Sequence, residues 1–228
     1  MNNYDYTYEV ETSKSYSIVG VFAYMFLGLL ITAGVSFGLY YLLLQGVVSP
    51  NVYLPMMVIS SIATFVLVIF SQLVLLRGKS KGGLVTYILF AVTMGILLSS
   101  VFILYDISTI GYTFLCTAGS FGAMALYGLI TKRQTASLGM FGVGLLFGVL
   151  TLTLVNILIR SEMIYWIITY VGLAAMLALT AWDVNRAKSF SDNGMLTGNL
   201  AIYMALELYT DFIYIFIRLL AIIGRDRK

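Results

Sequence analysis

The feature that most constrains this chain is the length of its uncharged segments. Lys14 and Arg77 are separated by 62 consecutive residues without a charge. Four more uncharged segments, of 24, 25, 26 and 20 residues, follow at 82–105, 107–131, 134–159 and 163–182. A helix needs about 20 apolar residues to cross the hydrocarbon core of a bilayer. The sequence therefore predicts an integral membrane protein whose charges mark the ends of its spans.

The composition supports helices rather than strands as the membrane-spanning elements. The chain is 61% hydrophobic and 10% charged, whereas soluble domains contain roughly 25% charged residues. Strands of outer-membrane barrels alternate apolar and polar residues over about 10 positions. Stretches such as "VGLAAMLALTAW" are apolar at every position, so the predicted class is an all-α membrane protein.

The positions of charges and turn residues predict seven transmembrane helices in one bundle. Gly46, Ser49, Pro50 and Asn51 divide the longest uncharged segment into two spans. The predicted spans are 19–44, 52–76, 82–105, 107–131, 134–159, 163–182 and 195–223. They form one domain, residues 17–224, after a polar tail at 1–16 and before a basic tail at 225–228.

Two pairs of glycines have the spacing of helix-contact motifs. Gly34 and Gly38, and likewise Gly144 and Gly148, are separated by three residues. In membranes this spacing is typical of close helix packing. We therefore expect both pairs to contact neighbouring helices.

The distribution of Lys and Arg predicts the orientation. Three loops carry most of the basic residues: Arg77, Lys79 and Lys81; Lys132 and Arg133; Arg186 and Lys188. Cytoplasmic loops collect such residues, which places these loops and the N-terminus in the cytoplasm. Seven crossings would leave the basic C-terminal residues outside, against the same rule, so the side of the C-terminus stays open.

The last span differs from the others because it carries charges near its middle. On a helix, Glu207, Asp211 and Arg218 point within about 40° of one another. Charged groups at this depth normally face the bundle interior or a water-filled cavity. Two interpretations remain open: an ion pair between Asp211 and Arg218 that anchors the helix, or a pathway for protons or cations.

Asp183, in "TAWDVNRAK", is the best candidate partner for Asp211. Its alternative role is that of an interfacial residue with a salt bridge to Arg186, three residues later. Contact with Asp211 also has a geometric condition. If the last helix began at residue 193, Asp211 would lie about 27 Å into it. Span six must then extend beyond Lys188, or the seventh apolar block must begin outside the bilayer, tilt or break.

The segments "AWDVNRAK" and "MALELYTDFIYIFIRLLAIIG" resemble the two most characteristic segments of the Bax inhibitor family, including its bacterial calcium-leak members. The resemblance implies a bundle with a central seventh helix between two layers of three, in a bacterial plasma membrane. It also implies that Asp183 and Asp211 form a pH-sensing pair that lines a calcium path. In bacterial members an Arg at the end of span two acts as a latch, and Arg77 matches it. Glu207 and Arg218 are accessory charges outside the family motif.

The chemistry of paired carboxyl groups agrees with that role. Two carboxylates in a low-dielectric site cannot both ionise cheaply, so they bind protons as a coupled unit. When ionised they offer oxygen ligands to Ca²⁺, which needs six to eight oxygens, so two alone make a weak site that releases the ion readily. The sequence thus predicts a pH-sensitive calcium leak channel or transporter, with transient Ca²⁺ at Asp183 and Asp211 and no permanently bound cofactor. The expected partners are lipid, calcium and protons; no basic stripe indicates a nucleic acid.

Two other functions remain as alternatives. The first is an interaction protein that regulates a membrane protease or a cell-death or stress pathway, with the tail at 1–16 as its binding segment. The second is an intramembrane aspartyl protease, which "YTDF" fits poorly because the motifs of such proteases have glycine-x-glycine before the Asp. The chain contains no His and one Cys, Cys116, which excludes rhomboid-like serine proteases and leaves no ligand cluster for zinc or haem. We therefore expect no enzymatic activity.

Overall fold

A computed structural model describes residues 16–76, 80–131 and 135–227. Within these ranges the chain is helical and contains no strand. Residues 1–15 of the predicted tail and the predicted latch Arg77 lie outside the described residues. The roles assigned to them stay predictions.

The helices follow the uncharged segments closely. They are α1 (Ile18–Leu44), α2 (Pro50–Leu76), α3 (Ser80–Leu104), α4 (Ile107–Ile130), α5 (Ala136–Ile159), α6 (Glu162–Asp192) and α7 (Gly198–Ile223), before a short 3₁₀ turn at Gly224–Arg227. Among the described residues, α1 to α6 are long and apolar enough to cross a membrane. The predicted all-α membrane protein is confirmed, whereas a membrane crossing by α7 stays a prediction.

Local sequence signals determine where several helices begin and end. Ser17, Ser161 and Thr197 each precede a helix, and the side-chain oxygen of each accepts a hydrogen bond from a backbone N–H of the first turn. Pro50 is the first residue of α2. A backbone N–H at this position has no acceptor within the helix, so the lack of an N–H in proline breaks no hydrogen bond. Gly194 follows α6 with a φ of 68°, a conformation that glycine adopts without steric cost.

The end of α6 differs from the predicted end of span six. The span was expected to stop at residue 182, before the charge of Asp183, but the helix continues to Asp192. The ten further residues, 183–192, add about 15 Å at 1.5 Å per residue. Charge limits the part of a helix that can lie in hydrocarbon, but it does not end a helix whose polar side chains find partners.

The helices pack as two groups that share α7. In one group α1 and α2 each pack against α3, and in the other α4 and α5 each pack against α6. Helix α7 contacts α1, α2, α3, α4 and α6, and more than half of its 26 residues are buried. The charged residues of α7 are therefore carried by the helix that packs against both groups.

Hydrogen bonds between buried side chains fix α7 against the first group. The hydroxyl groups of Tyr209 and Thr32 lie 2.7 Å apart, and Thr32 donates to the Ala91 carbonyl oxygen at 3.0 Å. Beside them, the Tyr87 hydroxyl donates to the Tyr24 carbonyl oxygen at 2.8 Å. Buried polar groups are stable only when they are hydrogen-bonded. These pairs therefore constrain the position of α7 relative to α1 and α3.

The close helix contacts involve different glycines from those expected. No atom of a neighbouring helix lies within 4 Å of a Cβ built on Gly34, Gly38, Gly144 or Gly148. Among the described residues, the helix contacts predicted at these glycines are therefore wrong. A Cβ on Gly128 would instead lie 2.5 Å from the Ala181 carbonyl oxygen, and one on Gly139 would lie 2.5 Å from the Trp182 ring. The spacing of glycines shows which face of a helix has small side chains, but it does not show which helix that face packs against.

Substitution of Gly128 by Ala should destabilise the bundle, because the new Cβ has no room beside the backbone of α6. We expect a loss of about 1–3 kcal/mol, the usual cost of overpacking. The measurement is thermal unfolding of the purified protein in detergent. Gly144→Ala is the matched control, since its Cβ would meet no atom within 4 Å. Equal unfolding temperatures for the two variants would contradict this packing.

Candidate functional site

Helices α6 and α7 form an antiparallel hairpin that aligns their polar side chains. At the hairpin end, Arg186 of α6 pairs with Glu207 of α7. At the opposite end, Glu162 of α6 pairs with Arg225 at 3.4 Å, just after α7. Residue numbers fall along α6 as they rise along α7, so one interface carries charged residues along its length.

Asp183 and Asp211 meet in this interface. Their exposed fractions are 6% and 5%, and their carboxyl groups lie close enough to share a hydrogen bond. The geometric condition for contact is met because α6 extends beyond Lys188 and α7 begins only at Gly198. We call Asp183 and Asp211 the acidic pair.

Arg186 joins the acidic pair to Glu207. Its guanidinium group donates to Asp183 Oδ1 at 2.9 Å and also to Glu207 Oε2. The guanidinium carbon lies 4.4 Å from the centre of the Trp182 ring. The predicted salt bridge from Asp183 to Arg186 therefore exists together with the contact to Asp211, so the two interpretations of Asp183 are compatible.

Asp211 lies deeper in the bundle than Arg186 and has fewer polar neighbours. Besides Asp183, the Thr180 hydroxyl is within hydrogen-bonding reach, although it donates to the Met176 carbonyl oxygen at 2.8 Å. Asp211 Oδ2 is buried and has no hydrogen-bond partner among the described residues. A buried polar atom without a partner is costly, and here it leaves one oxygen available to a proton, a water molecule or a cation.

Arg218 does not pair with Asp211. It donates to the Tyr214 hydroxyl at 2.6 Å, and its guanidinium carbon lies 4.7 Å from the centre of that ring. The ion pairs among the described residues do not include Arg218. The alternative in which Asp211 and Arg218 anchor the helix is therefore wrong, because Asp211 faces Asp183 and Arg218 turns to an aromatic neighbour.

Other polar residues after Asp183 attach α6 to α4, a role that the sequence analysis missed. The Asn185 side chain donates to the carbonyl oxygens of Gly128 and Thr131 at 3.0 and 3.3 Å. Lys188 donates to the Leu129 carbonyl oxygen at 2.7 Å. These carbonyls belong to the end of α4, where the last carbonyls of a helix lack backbone partners. The sequence signal for this attachment was the spacing of Asn185 and Lys188, two hydrogen-bond donors three residues apart on α6.

The acidic pair does not by itself form a complete metal site. Among the described residues, no group of three or more His, Cys, Asp or Glu side chains is placed to hold a metal ion. Calcium requires six to eight oxygen ligands. Asp183 and Asp211 can therefore supply only part of a coordination shell, and water or backbone oxygens must supply the remainder.

Comparisons with known proteins agree with the motifs around the acidic pair. The family model described as "Inhibitor of apoptosis-promoting Bax1" matches residues 15–228. The inner membrane protein YbhL of Escherichia coli K12 is 34% identical, over 91% of this chain and 90% of its own length. An uncharacterised membrane protein of Streptococcus pyogenes serotype M3 is 30% identical, over 94% of this chain and 92% of its own. A match of this extent shows that the chain is an integral membrane protein of the Bax inhibitor family.

Proposed function

We propose that this protein is a pH-sensitive calcium leak channel or transporter, in which the acidic pair binds both protons and calcium. In this proposal α7 crosses the membrane at the centre of the bundle, and the N-terminus lies in the cytoplasm. The membrane is the bacterial plasma membrane. The supporting observation is that two buried carboxyl groups from adjacent helices meet where one oxygen has no hydrogen-bond partner among the described residues.

The calcium step uses the ionised form of the acidic pair. Two neighbouring carboxylates attract a divalent cation more strongly than a monovalent one, because the attraction is proportional to the charge of the ion. Glu207 lies about one turn from Asp211 on the same helix and adds negative charge on the hairpin side. With only two carboxylates in the shell, the site releases the ion readily, which conduction requires.

The proton step uses the same groups together with Arg186. A proton bound to the acidic pair removes the negative charge that attracts calcium. If that proton resides on Asp183, it also weakens the ion pair from Asp183 to Arg186, which orients the guanidinium group that joins α6 to Glu207 of α7. Proton binding thus changes both the affinity for the ion and the strength of a helix contact.

Replacement of either member of the acidic pair should reduce the flux of calcium and abolish its pH dependence. In liposomes containing a calcium indicator, Asp183→Asn and Asp211→Asn should each lower flux on the order of tenfold, the usual effect of losing a charged partner. The flux of the parent should vary between acidic and neutral pH, and the flux of the variants should not.

Asp192→Asn is the matched control for these variants, because Asp192 is an exposed acid at the end of the same helix. It should behave like the parent at every pH. Unchanged flux in both Asp183→Asn and Asp211→Asn would reject the acidic pair as the ion site.

Arg186→Gln should raise the basal calcium leak at neutral pH, because it removes the ion pair to Glu207 that connects α6 and α7, together with the pair to Asp183 within α6. The effect should be several-fold, since each lost charge-assisted bond is worth roughly 1.5–3 kcal/mol when buried and less at this partly exposed position. Arg186→Lys keeps the charge and should raise the leak less. A leak at or below that of the parent in Arg186→Gln would show that these ion pairs do not restrain opening.

Arg77→Ala tests the latch that the family resemblance implies. If Arg77 holds a closed form, its loss should raise the basal leak without altering calcium affinity. Lys188→Ala is a useful comparison, since it removes a basic residue from the predicted cytoplasmic side that contacts α4. Flux in Arg77→Ala that equals or falls below the parent's would count against the latch.

A further inference from the structure

Resting on the calcium leak proposed above, we propose that Arg218 is the electrostatic barrier of this cation path. Its positive charge lies in the α6–α7 interface, on the side of the acidic pair away from the hairpin. In this position it slows every cation and slows calcium more than potassium. Arg218 thereby determines both the rate of the leak and its preference among cations.

The geometry places Arg218 in line with the acidic pair. Arg218 follows Asp211 by seven residues, which is two turns or about 10.5 Å along α7, and the two point within about 20° of each other. On α6, Gly172 precedes Asp183 by eleven residues and points within about 20° of it. A Cβ on Gly172 would lie 2.9 Å from the Tyr214 hydroxyl and 3.5 Å from Arg218 Nε. The contact between Arg218 and α6 therefore continues the interface that contains the acidic pair.

The positive charge of Arg218 is not cancelled by a neighbouring carboxylate in the described chain. Its observed partner is Tyr214, which contributes a hydroxyl group and a ring face, both neutral. Three other acids of the interface contact other cations: Asp183 and Glu207 share Arg186, and Glu162 contacts Arg225. Asp211, two turns away on α7, forms no ion pair with Arg218 among the described residues. Arg218 is partly buried, so water screens its charge incompletely.

Tyr214 holds the guanidinium group at this position. The bond from Arg218 to Tyr214 spans four residues of α7, which is one helical turn, and the ring also stacks with the cation. Because Gly172 has no side chain, α6 leaves room there for the Tyr214 hydroxyl. Among the described residues, the interface thus holds the Arg218 cation beside a neutral Tyr and without an ion pair to an acid.

A cation that leaves the acidic pair along the interface must pass this charge. The energy of Coulomb repulsion is proportional to the charge of the passing ion, and a rate depends exponentially on energy. The factor by which Arg218 slows Ca²⁺ is therefore the square of the factor by which it slows K⁺. With the screening of water at about 10 Å, the factors are about fourfold for Ca²⁺ and about twofold for K⁺, and both grow where water is scarce. Positive groups in pores are a known way to restrict cations.

The test compares ion fluxes in liposomes that contain the full-length protein, with separate indicators for Ca²⁺ and K⁺. Arg218→Gln removes the charge, and Arg218→Met removes it with an apolar side chain suited to a membrane helix. Arg218→Lys keeps the charge but loses the planar group that fits Tyr214. Thermal unfolding in detergent shows which variants fold, and either neutral variant alone carries the test.

The expected result is a calcium flux at least about fourfold above the parent's in the neutral variants, with a smaller rise for potassium. Arg218→Lys should stay near the parent. Equal flux in the parent and the neutral variants would overturn the barrier alone, as would equal flux in Arg218→Lys and Arg218→Gln, which would assign Arg218 to packing or lipid contact. A parent that passes no calcium overturns the leak and the barrier together.

Discussion

Arg186 of α6 pairs with Glu207 of α7 across the interface on which the candidate site depends, and with Asp183 on its own helix. Carboxyl groups are expensive to bury unless they have partners, and this one guanidinium group contacts both acids. Without Arg186, Asp183 and Glu207 would place two negative charges in one interface, with Asp211 only one turn away. The guanidinium group lets the hairpin close and leaves the acidic pair beyond it, deeper in the bundle. Here one interaction supports both the fold and the site.

The α6–α7 interface also separates charges by type along its length. Near the hairpin, Arg186 pairs with two acids, Asp183 and Glu207. At the acidic pair, two carboxyl groups share a site, and one oxygen lacks a hydrogen-bond partner in the part of the chain that the structure describes. Farther along, Arg218 is positive and contacts Tyr214. In the proposed leak, a cation would meet attraction at the acidic pair and repulsion at Arg218.

Packing outside the interface explains why these charges stay in place. Asn185 and Lys188 bond to carbonyl oxygens at the end of α4, and Gly128 lets the backbones of α4 and α6 approach closely. On the other side, Tyr209 and Thr32 join α7 to α1. These bonds anchor α6 to α4 and α7 to α1, while α7 also packs against α4.

The sequence by itself determined the number and order of the helices, because placing charge in hydrocarbon is costly. It did not determine the end of α6, which continues past Asp183 to Asp192. It also determined the candidate acids, since Asp211 interrupts an apolar helix and Asp183 precedes a hairpin. Only the tertiary structure decided which charges pair. From one helix alone, Asp211 and Arg218 looked like partners, but the antiparallel register with α6 brings Asp183 to Asp211 and Arg186 to Glu207. Likewise, glycine spacing on α1 and α5 predicted contacts that the packing makes elsewhere. Periodicity along one helix reports which residues share a face, whereas pairing depends on the neighbour that the face meets.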